Sequence, residues 1–193
     1  MNINTLLAVL ATAMLLDLNV SAQDDFLFYS YHEGHIIHNN GTKERGLLQY
    51  LPEEERYQKV IFKKNDDAKK QKFKVTQLSG YTLAEKDFKA MEYDDILGKG
   101  RKFLIIDTID CISSYHYTAQ DDEGTWNVIN VYDNGERAVN YQKLALGFSK
   151  KMAEFLAADE ELSKKVADKE RGYGLINLHK VIAEYNQRCK KRE

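Results

Sequence analysis

The sequence contains very little of three residue types that often shape a small protein. Its 193 residues include one proline, two cysteines and one tryptophan. A single proline excludes a proline-rich linker, and two cysteines are too few for the disulfide framework of many small secreted domains. The Walker loop, the dinucleotide fingerprint and the EF-hand spacing are also absent. No local motif therefore indicates a bound nucleotide, cofactor or calcium ion.

An excess of charge of one sign is missing as well. The chain has 28 basic and 30 acidic side chains, and its formal net charge is -2. A nucleic-acid-binding protein usually has a clear basic excess, so we expect no nucleic-acid partner. The longest apolar run, residues 6–16, is shorter than the roughly 20 residues that a membrane-spanning helix needs. We therefore expect no transmembrane segment in the mature chain.

That apolar run is typical of a secretory signal peptide. Small residues follow it at Val20, Ser21 and Ala22, so we predict cleavage between Ala22 and Gln23. A buried N-terminal helix is the alternative, because the run has no preceding Lys or Arg and Asp17 interrupts its apolar character. The prediction is an exported protein, periplasmic or extracellular, in which residues 1–22 are removed and residues 23–193 form a single domain.

The front of the chain, residues 23–140, has the pattern of short antiparallel strands. Asn40-Gly41 and Asn134-Gly135 favour hairpin turns, because this dipeptide tolerates the positive φ angles of a type I′ turn. A tight reversal is expected near residues 109–110. The predicted strands are 34–38, 42–50, 57–63, 73–83, 88–93, 102–108, 111–118 and 126–132.

The pattern changes near residue 141 to the period of an α-helix. Apolar residues recur on one helical face at Leu144, Phe148, Met152, Phe155 and Leu156. Asp159 is suited to cap a second helix, and a third apolar stripe covers residues 175–185. The predicted fold class is α+β: an antiparallel β-rich barrel or sandwich, followed by about three C-terminal helices that pack on it.

Three histidines, His32, His35 and His38, invite comparison with a metal site. Gly34 and the pair Ile36-Ile37 favour a strand over a helix here. On a strand, His32 and His38 share one face about 20 Å apart, while His35 is on the other face. We therefore reject a shared metal ion and interpret the histidines as polar residues on the exposed face of a hairpin strand.

Other groups that could carry chemistry have simpler interpretations. Asp107 and Asp110 resemble a carboxylate pair, but a turn at the reversal explains them better. Ser113 and Ser114 lie near His116 without a nucleophile elbow. The sequence therefore predicts no catalytic residue. A candidate ligand face, for sugar or peptide, consists of Tyr115, Tyr117, Trp126 and Tyr132, although cross-strand aromatic packing explains these residues equally well.

The two cysteines allow one intramolecular disulfide, and export would permit it. Cys111 lies in a strand-like run, where a small buried apolar residue is expected. Cys189 lies in RCKKR, where neighbouring cations favour a thiolate. The sequence favours two unpaired cysteines but leaves the disulfide between Cys111 and Cys189 open.

The stretch EGHIIHNNGTKERGLL, together with VIFKK, FLIIDTIDCISSYHY and the C-terminal stripes, resembles a group of small exported proteins of Bacteroidota. In that group a Gly-x-Ile strand, an Asn-Gly turn and a returning strand open the mature chain. The matching positions are Gly34, Ile36, Asn40, Gly41, Gly46 and Leu47. The resemblance implies export, a β-rich front and a helical back, and it implies no activity.

Taken together, these patterns predict a non-catalytic envelope or secreted module that uses its sheet to bind a ligand or a partner, such as an envelope protein or a glycan. No cofactor is expected. The alternative is a hydrolase whose site is assembled from dispersed Asp, Glu and His residues, since catalytic residues are usually distant along the chain.

Overall fold

The computed structural model describes residues 27–191. The predicted leader and its cleavage site at Ala22 and Gln23 lie outside the described residues. The strands are β1 (Tyr31–His38), β2 (Lys43–Gln49), β3 (Lys59–Lys63), β4 (Gln71–Lys74), β5 (Leu78–Leu83), β6 (Lys86–Asp95), β7 (Gly98–Thr108), β8 (Ser113–Gln120), β9 (Trp126–Asp133) and β10 (Ala138–Asn140). The helices are α1 (Glu53–Arg56), α2 (Tyr141–Ala145), α3 (Phe148–Phe155), α4 (Glu160–Ala167) and α5 (Leu178–Lys190), with a 3₁₀ turn at Leu175–Asn177.

The ten strands form one sheet in the order β10-β9-β8-β7-β6-β5-β1-β2-β3-β4. Neighbouring strands are antiparallel, and the sheet closes on itself where β10 also pairs with β6 in parallel, Val139 opposite Asp94. Strands β6 to β10 therefore form a closed barrel, and β1 to β5 extend the sheet beyond it. The predicted α+β class with an antiparallel barrel is confirmed.

The first hairpin differs in detail from the predicted type I′ turn. The backbone N–H of Gly41 donates to the carbonyl of His38 at 2.8 Å, and the N–H of His38 donates to the carbonyl of Thr42 at 2.9 Å. Gly41 has a φ of 84°, whereas Asn40 is not in the positive-φ region. This is a three-residue loop with glycine at its left-handed position, the next most common hairpin connection.

Three elements depart from the predicted boundaries. The single strand predicted over 73–83 is two strands, because Gln77 makes a turn: its N–H donates to the Lys74 carbonyl at 2.9 Å and its side chain accepts from the Lys74 N–H at 2.8 Å. The short elements α1 and β10 were not predicted. The three residues of β10 are all buried and show no alternation that a sequence pattern could reveal.

The C-terminal part, residues 141–190, contains four helices where about three were predicted. The first predicted helix is interrupted between Leu144 and Phe148, because Gly147 adopts a left-handed φ of 82°. Asn140 caps α2 by accepting from the N–H of Lys143, and Asp159 caps α4 by accepting from the N–H of Leu162. The Asp159 cap agrees with the sequence prediction.

Within residues 27–191, apolar side chains form two buried clusters. The first fills the space within the curled sheet. The second joins the helices to the barrel, because Ile112 and Val139, which belong to the strand region, are buried among helical residues such as Leu144 and Leu178. Burying this apolar surface is what attaches the helices to the sheet.

A group of contacts that we call the latch fixes α5 to the turn between β7 and β8. Cys111 and Cys189 form a disulfide, with their Cα atoms 6.5 Å apart, so the preference for unpaired cysteines was wrong. The side-chain amide of Asn186 accepts from the N–H of Ile112 at 2.7 Å and donates to its carbonyl at 3.0 Å. Lys190 pairs with Asp110, which lowers the pKa of that carboxyl.

A second electrostatic contact joins α4 to α5. Arg188 pairs with Glu161 at 3.0 Å and with Glu184 at 2.7 Å, while Lys165 pairs with Glu161 at 2.7 Å. Hydrogen bonds from Arg188 and then Lys165 lower the pKa of Glu161 from 4.5 to about 2. Glu161 is largely exposed, so the stabilisation is modest.

This contact predicts a specific acid response. Because the folded-state pKa of Glu161 lies below its unfolded value, its stabilisation is complete above about pH 4.5 and is lost as the pH falls toward 2. Thermal unfolding between pH 5 and pH 2 should therefore show a smaller decrease in Tm for Glu161→Gln than for the wild type. Glu160→Gln is the matched control, because Glu160 is an exposed neighbour with no ion-pair partner among the described residues. Equal slopes for all three proteins would contradict the assignment.

Candidate functional site: the free edge of strand β9

The edge of β9 is unpaired over more than half of its length. β10 pairs with β9 only from Val131 to Asp133, whereas β8 pairs with it along the whole strand. The cause is Asn140, which ends β10 and caps α2, so that the chain leaves the sheet opposite Val131. Within the described chain, residues 126–130 therefore have a strand partner on one side only.

The structure blocks a comparable gap between β7 and β8. These strands pair only between Ile105 and Thr108 on β7. Beyond that point Tyr57 is inserted: its carbonyl accepts from the N–H of Phe103 at 2.8 Å, and its hydroxyl accepts from the N–H of Thr118 at 3.1 Å. The gap is thus filled by one buried residue.

The outer edge of the sheet is protected in a different way. β4 is the terminal strand, only four residues long, and it carries exposed lysines at Lys72 and Lys74. Short, charged edge strands resist pairing with other chains. Residues 126–130 of β9 carry no charge, and they expose 47% of Trp126 and 61% of Val128. Because the segment is exposed and has no charged side chain, it lacks this protection and is suited to pairing with a strand of another chain.

A cleft of about 320 Å³ lies beside the free edge, between β9 and the start of α2. This volume is at the lower end of the range found for small-molecule ligand sites, and such sites often occur at the mouths of β-barrels. Tyr141 and Val128 supply apolar wall, and Gln142 supplies a polar side chain. The cleft is lined by Ala119, Gln120, Asp121, Asn127, Val128, Ile129, Tyr141 and Gln142.

The hairpin between β8 and β9 forms a rigid wall for this cleft. The carboxylate of Asp121 accepts from the N–H of Thr125 at 2.8 Å, from the N–H of Glu123 at 3.1 Å and from the amide of Asn127 at 2.9 Å. These bonds, the one from Thr125 above all, lower the pKa of Asp121. These bonds constrain the conformation of the hairpin, and a wall that is constrained in this way reduces the entropy cost of binding.

The four aromatic residues predicted as a ligand face do not form one surface. Tyr115 and Tyr117 are buried inside the barrel, where Tyr117 packs against the ring of Tyr93 at 5.9 Å. Tyr132 is half-buried, and burial raises its pKa. Trp126 alone of the four is substantially exposed. On both β8 and β9 the odd-numbered positions, such as Tyr117 and Ile129, face the barrel interior, so the even-numbered Trp126 faces outward.

The three histidines make separate contacts. His32 lies against the ring of Tyr50 and His38 against the ring of Phe73, while His35 is within 3.2 Å of the Thr82 hydroxyl on the opposite face. His32 and His38 share the face of buried Ile36, and all three histidines are half-buried, so the expectation that they lie exposed was wrong. Residues 27–191 contain no cluster of three or more side chains suited to hold a metal ion.

Asp107 and Asp110 have different partners. Asp107 is 2.6 Å from Nδ1 of His116, and Asp110 pairs with Lys190 in the latch. The Asp107–His116 pair orients an imidazole as a general base would require. In the described part of the chain, however, no hydroxyl or thiol is hydrogen-bonded to His116, so the pair lacks a nucleophile.

In comparisons with known proteins, no family model matches the chain, and no curated protein or solved structure is significantly similar to it. Membership of the Bacteroidota group therefore stays a prediction. No helix within residues 27–191 is both long and apolar enough to cross a membrane.

Sequence reasoning missed most of the cleft. Asn127, Tyr141 and Gln142 were not predicted, although one signal was available: the segment 126–130 is uncharged, which is unusual for a strand open to solvent. The free edge itself depends on where β10 ends, and the sequence does not show that position.

Proposed function

We propose that this protein is an exported, non-catalytic binding module that captures an extended peptide segment of a partner protein. The segment pairs with residues 126–130 of β9 and occupies the place that β10 leaves open. The observation that carries the proposal is this uncharged, unpaired edge beside a cleft. Strand addition of this kind is a common mode of peptide recognition.

The chemistry of the site defines the class of segment. Main-chain hydrogen bonds along residues 126–130 require an extended segment of about five residues, or roughly 17 Å. Alternate side chains of such a segment point to the same face, so one or two would contact the cleft wall formed by Val128 and Tyr141. We expect a sequence with alternating apolar residues and no proline in the pairing region.

The disulfide between Cys111 and Cys189 supports export, because such bonds persist in oxidising compartments. An envelope protein is therefore the expected partner class. The hydrolase alternative has its best support in the Asp107–His116 pair, and the same experiment can test it: a bound peptide should be recovered intact, whereas a cleaved peptide would favour the hydrolase.

The proposal predicts a binding result for one substitution. Peptides selected from a displayed library of random sequences should bind the wild type and should bind Val128→Lys at least about tenfold more weakly, because a lysine on an edge strand opposes pairing. The measurement is fluorescence anisotropy with a synthetic copy of a selected peptide.

Ile176→Lys provides the matched control, since Ile176 is 91% exposed and lies in the 3₁₀ turn of the helical part. It makes the same chemical change away from β9 and should leave affinity within about twofold of the wild-type value. Equal affinity for the Val128→Lys protein and the wild type would exclude β9 as the site.

A further inference from the structure

A second cleft, of about 420 Å³, lies where β3, β4 and β7 meet. The backbone of Val75 bonds to that of Gln58, and the carbonyl of Tyr57 bonds to Phe103, so these elements are held together. Five of the eight lining residues are cationic, and none is acidic. The lining consists of Gln58, Lys59, Lys72, Lys74, Val75, Thr76, Arg101 and Lys102.

The positive charge around this cleft is local and does not reflect the composition of the whole chain. The whole chain has a net charge of -2, whereas residues 57–76 contain seven lysines and two aspartates, a net charge of +5. Lys59 pairs with Glu55. Among the described residues, the other four cations of the cleft have no carboxylate within 4.0 Å.

Grouping cations around one concavity costs free energy through mutual repulsion. Lys72 and Lys74 also protect the outer edge of β4, but edge protection does not explain Arg101, because β7 has a neighbouring strand on each side. Lys102 is set apart from the other cations, because its ammonium lies 5.0 Å from the centre of the buried Tyr117 ring and so has a partner of its own. An anion bound in the cleft would neutralise these cations, which would explain why they are grouped there.

We infer that this cleft is a second ligand site, which binds a small ligand or a chain end that carries two or more phosphate or sulfate groups. Lys72, Lys74 and Arg101 would contact the anionic oxygens, and Arg101 can do so with two parallel hydrogen bonds. Thr76 and Gln58 add neutral donors. The site is distinct from the β9 edge and does not depend on the function proposed above.

Two other polyanions fit less well. Single-stranded nucleic acid is usually held by exposed aromatic rings on which its bases stack, and no aromatic residue lines this cleft. An anionic bilayer is flat and is bound by protruding basic segments, whereas these cations surround a concavity. A compact anionic group of high charge density matches the shape and charge of the cleft better than nucleic acid or a bilayer does.

The test compares two variants of equal net charge by isothermal titration calorimetry. The first, Lys72→Gln/Lys74→Gln/Arg101→Gln, removes three cations from the cleft. The second, Lys64→Gln/Lys69→Gln/Lys70→Gln, removes three exposed lysines of the same hairpin that do not line it. The probes are inorganic pyrophosphate, a heparin-derived tetrasaccharide and its desulfated form.

The wild type should bind at least one of the two charged probes, more weakly as salt rises, and should not bind the desulfated sugar. The cleft variant should lose about tenfold or more in affinity, while the control variant stays within about threefold. Binding of pyrophosphate alone would identify a phosphate ligand, and binding of the tetrasaccharide alone a sulfated glycan. An absence of saturable binding to both charged probes, or equal losses in the two variants, would overturn the inference. All six residues are exposed, and a thermal unfolding scan verifies that both variants are folded.

Discussion

A Cys111→Ser/Cys189→Ser variant should be about 4 kcal/mol less stable than the oxidised wild type. The disulfide joins residues separated by 78 positions, and closing a loop of that length removes much of the conformational entropy of the unfolded chain. The variant should retain the sheet, because its strands are paired independently of the bond. Urea unfolding of the variant and of the oxidised wild type measures the difference.

A reducing agent supplies the control for this prediction. Reduction should lower the urea midpoint of the wild type toward that of the variant and should leave the variant unchanged. Equal midpoints for the oxidised wild type and the variant would show that the bond between the β7–β8 turn and α5 contributes nothing to stability.

Asn186→Ala should cost about 3 kcal/mol, the second largest effect that we expect. The amide of Asn186 bonds to both the N–H and the carbonyl of Ile112, and all of these groups are buried. Removing the amide leaves two main-chain groups without partners, each at a cost of about 1–3 kcal/mol. Urea unfolding under oxidising conditions measures the loss while the disulfide is intact.

Gln187→Ala is the matched control, since Gln187 is the exposed neighbour on the same helix. Its stability should change by less than about 0.5 kcal/mol. A similar loss in both variants would mean that the helix responds to any truncation, and that the Asn186–Ile112 bonds are not specifically required.

The latch and the β9 edge lie at opposite ends of the barrel. β8 runs from Ser113, beside the latch, to Gln120, beside the cleft, a distance of about 24 Å. Latch variants that remain folded should therefore bind the selected peptides normally. Stability and recognition can be tested separately for this reason.

The elements that were predicted correctly are those with a strong local signal. Short segments of sequence are enough to predict the hairpin turns at Gly41 and Gly135 and the apolar stripe of α5. The first predicted helix was too long, because the helical spacing of apolar residues continues from Leu144 to Phe148. In the structure, Gly147 ends the helical path with a left-handed backbone conformation.

The features that the sequence did not predict depend on contacts between residues that are distant along the chain. The disulfide and the Asn186–Ile112 bonds join positions more than 70 residues apart. Tyr57 resembles any strand residue in the sequence, yet it fills the gap between β7 and β8. Tyr115 and Tyr117 were placed on a candidate surface because alternation alone does not show which side of a strand faces the barrel interior.

Amide hydrogen exchange tests strand addition at β9 most directly. With a saturating selected peptide, backbone amides of residues 126–130 that point away from β8 should exchange more slowly than in the free protein. The amides of the outer strand β4 should exchange at an unchanged rate. Slower exchange confined to other strands, or no change along β9 under saturating peptide, would contradict the proposed mode of binding.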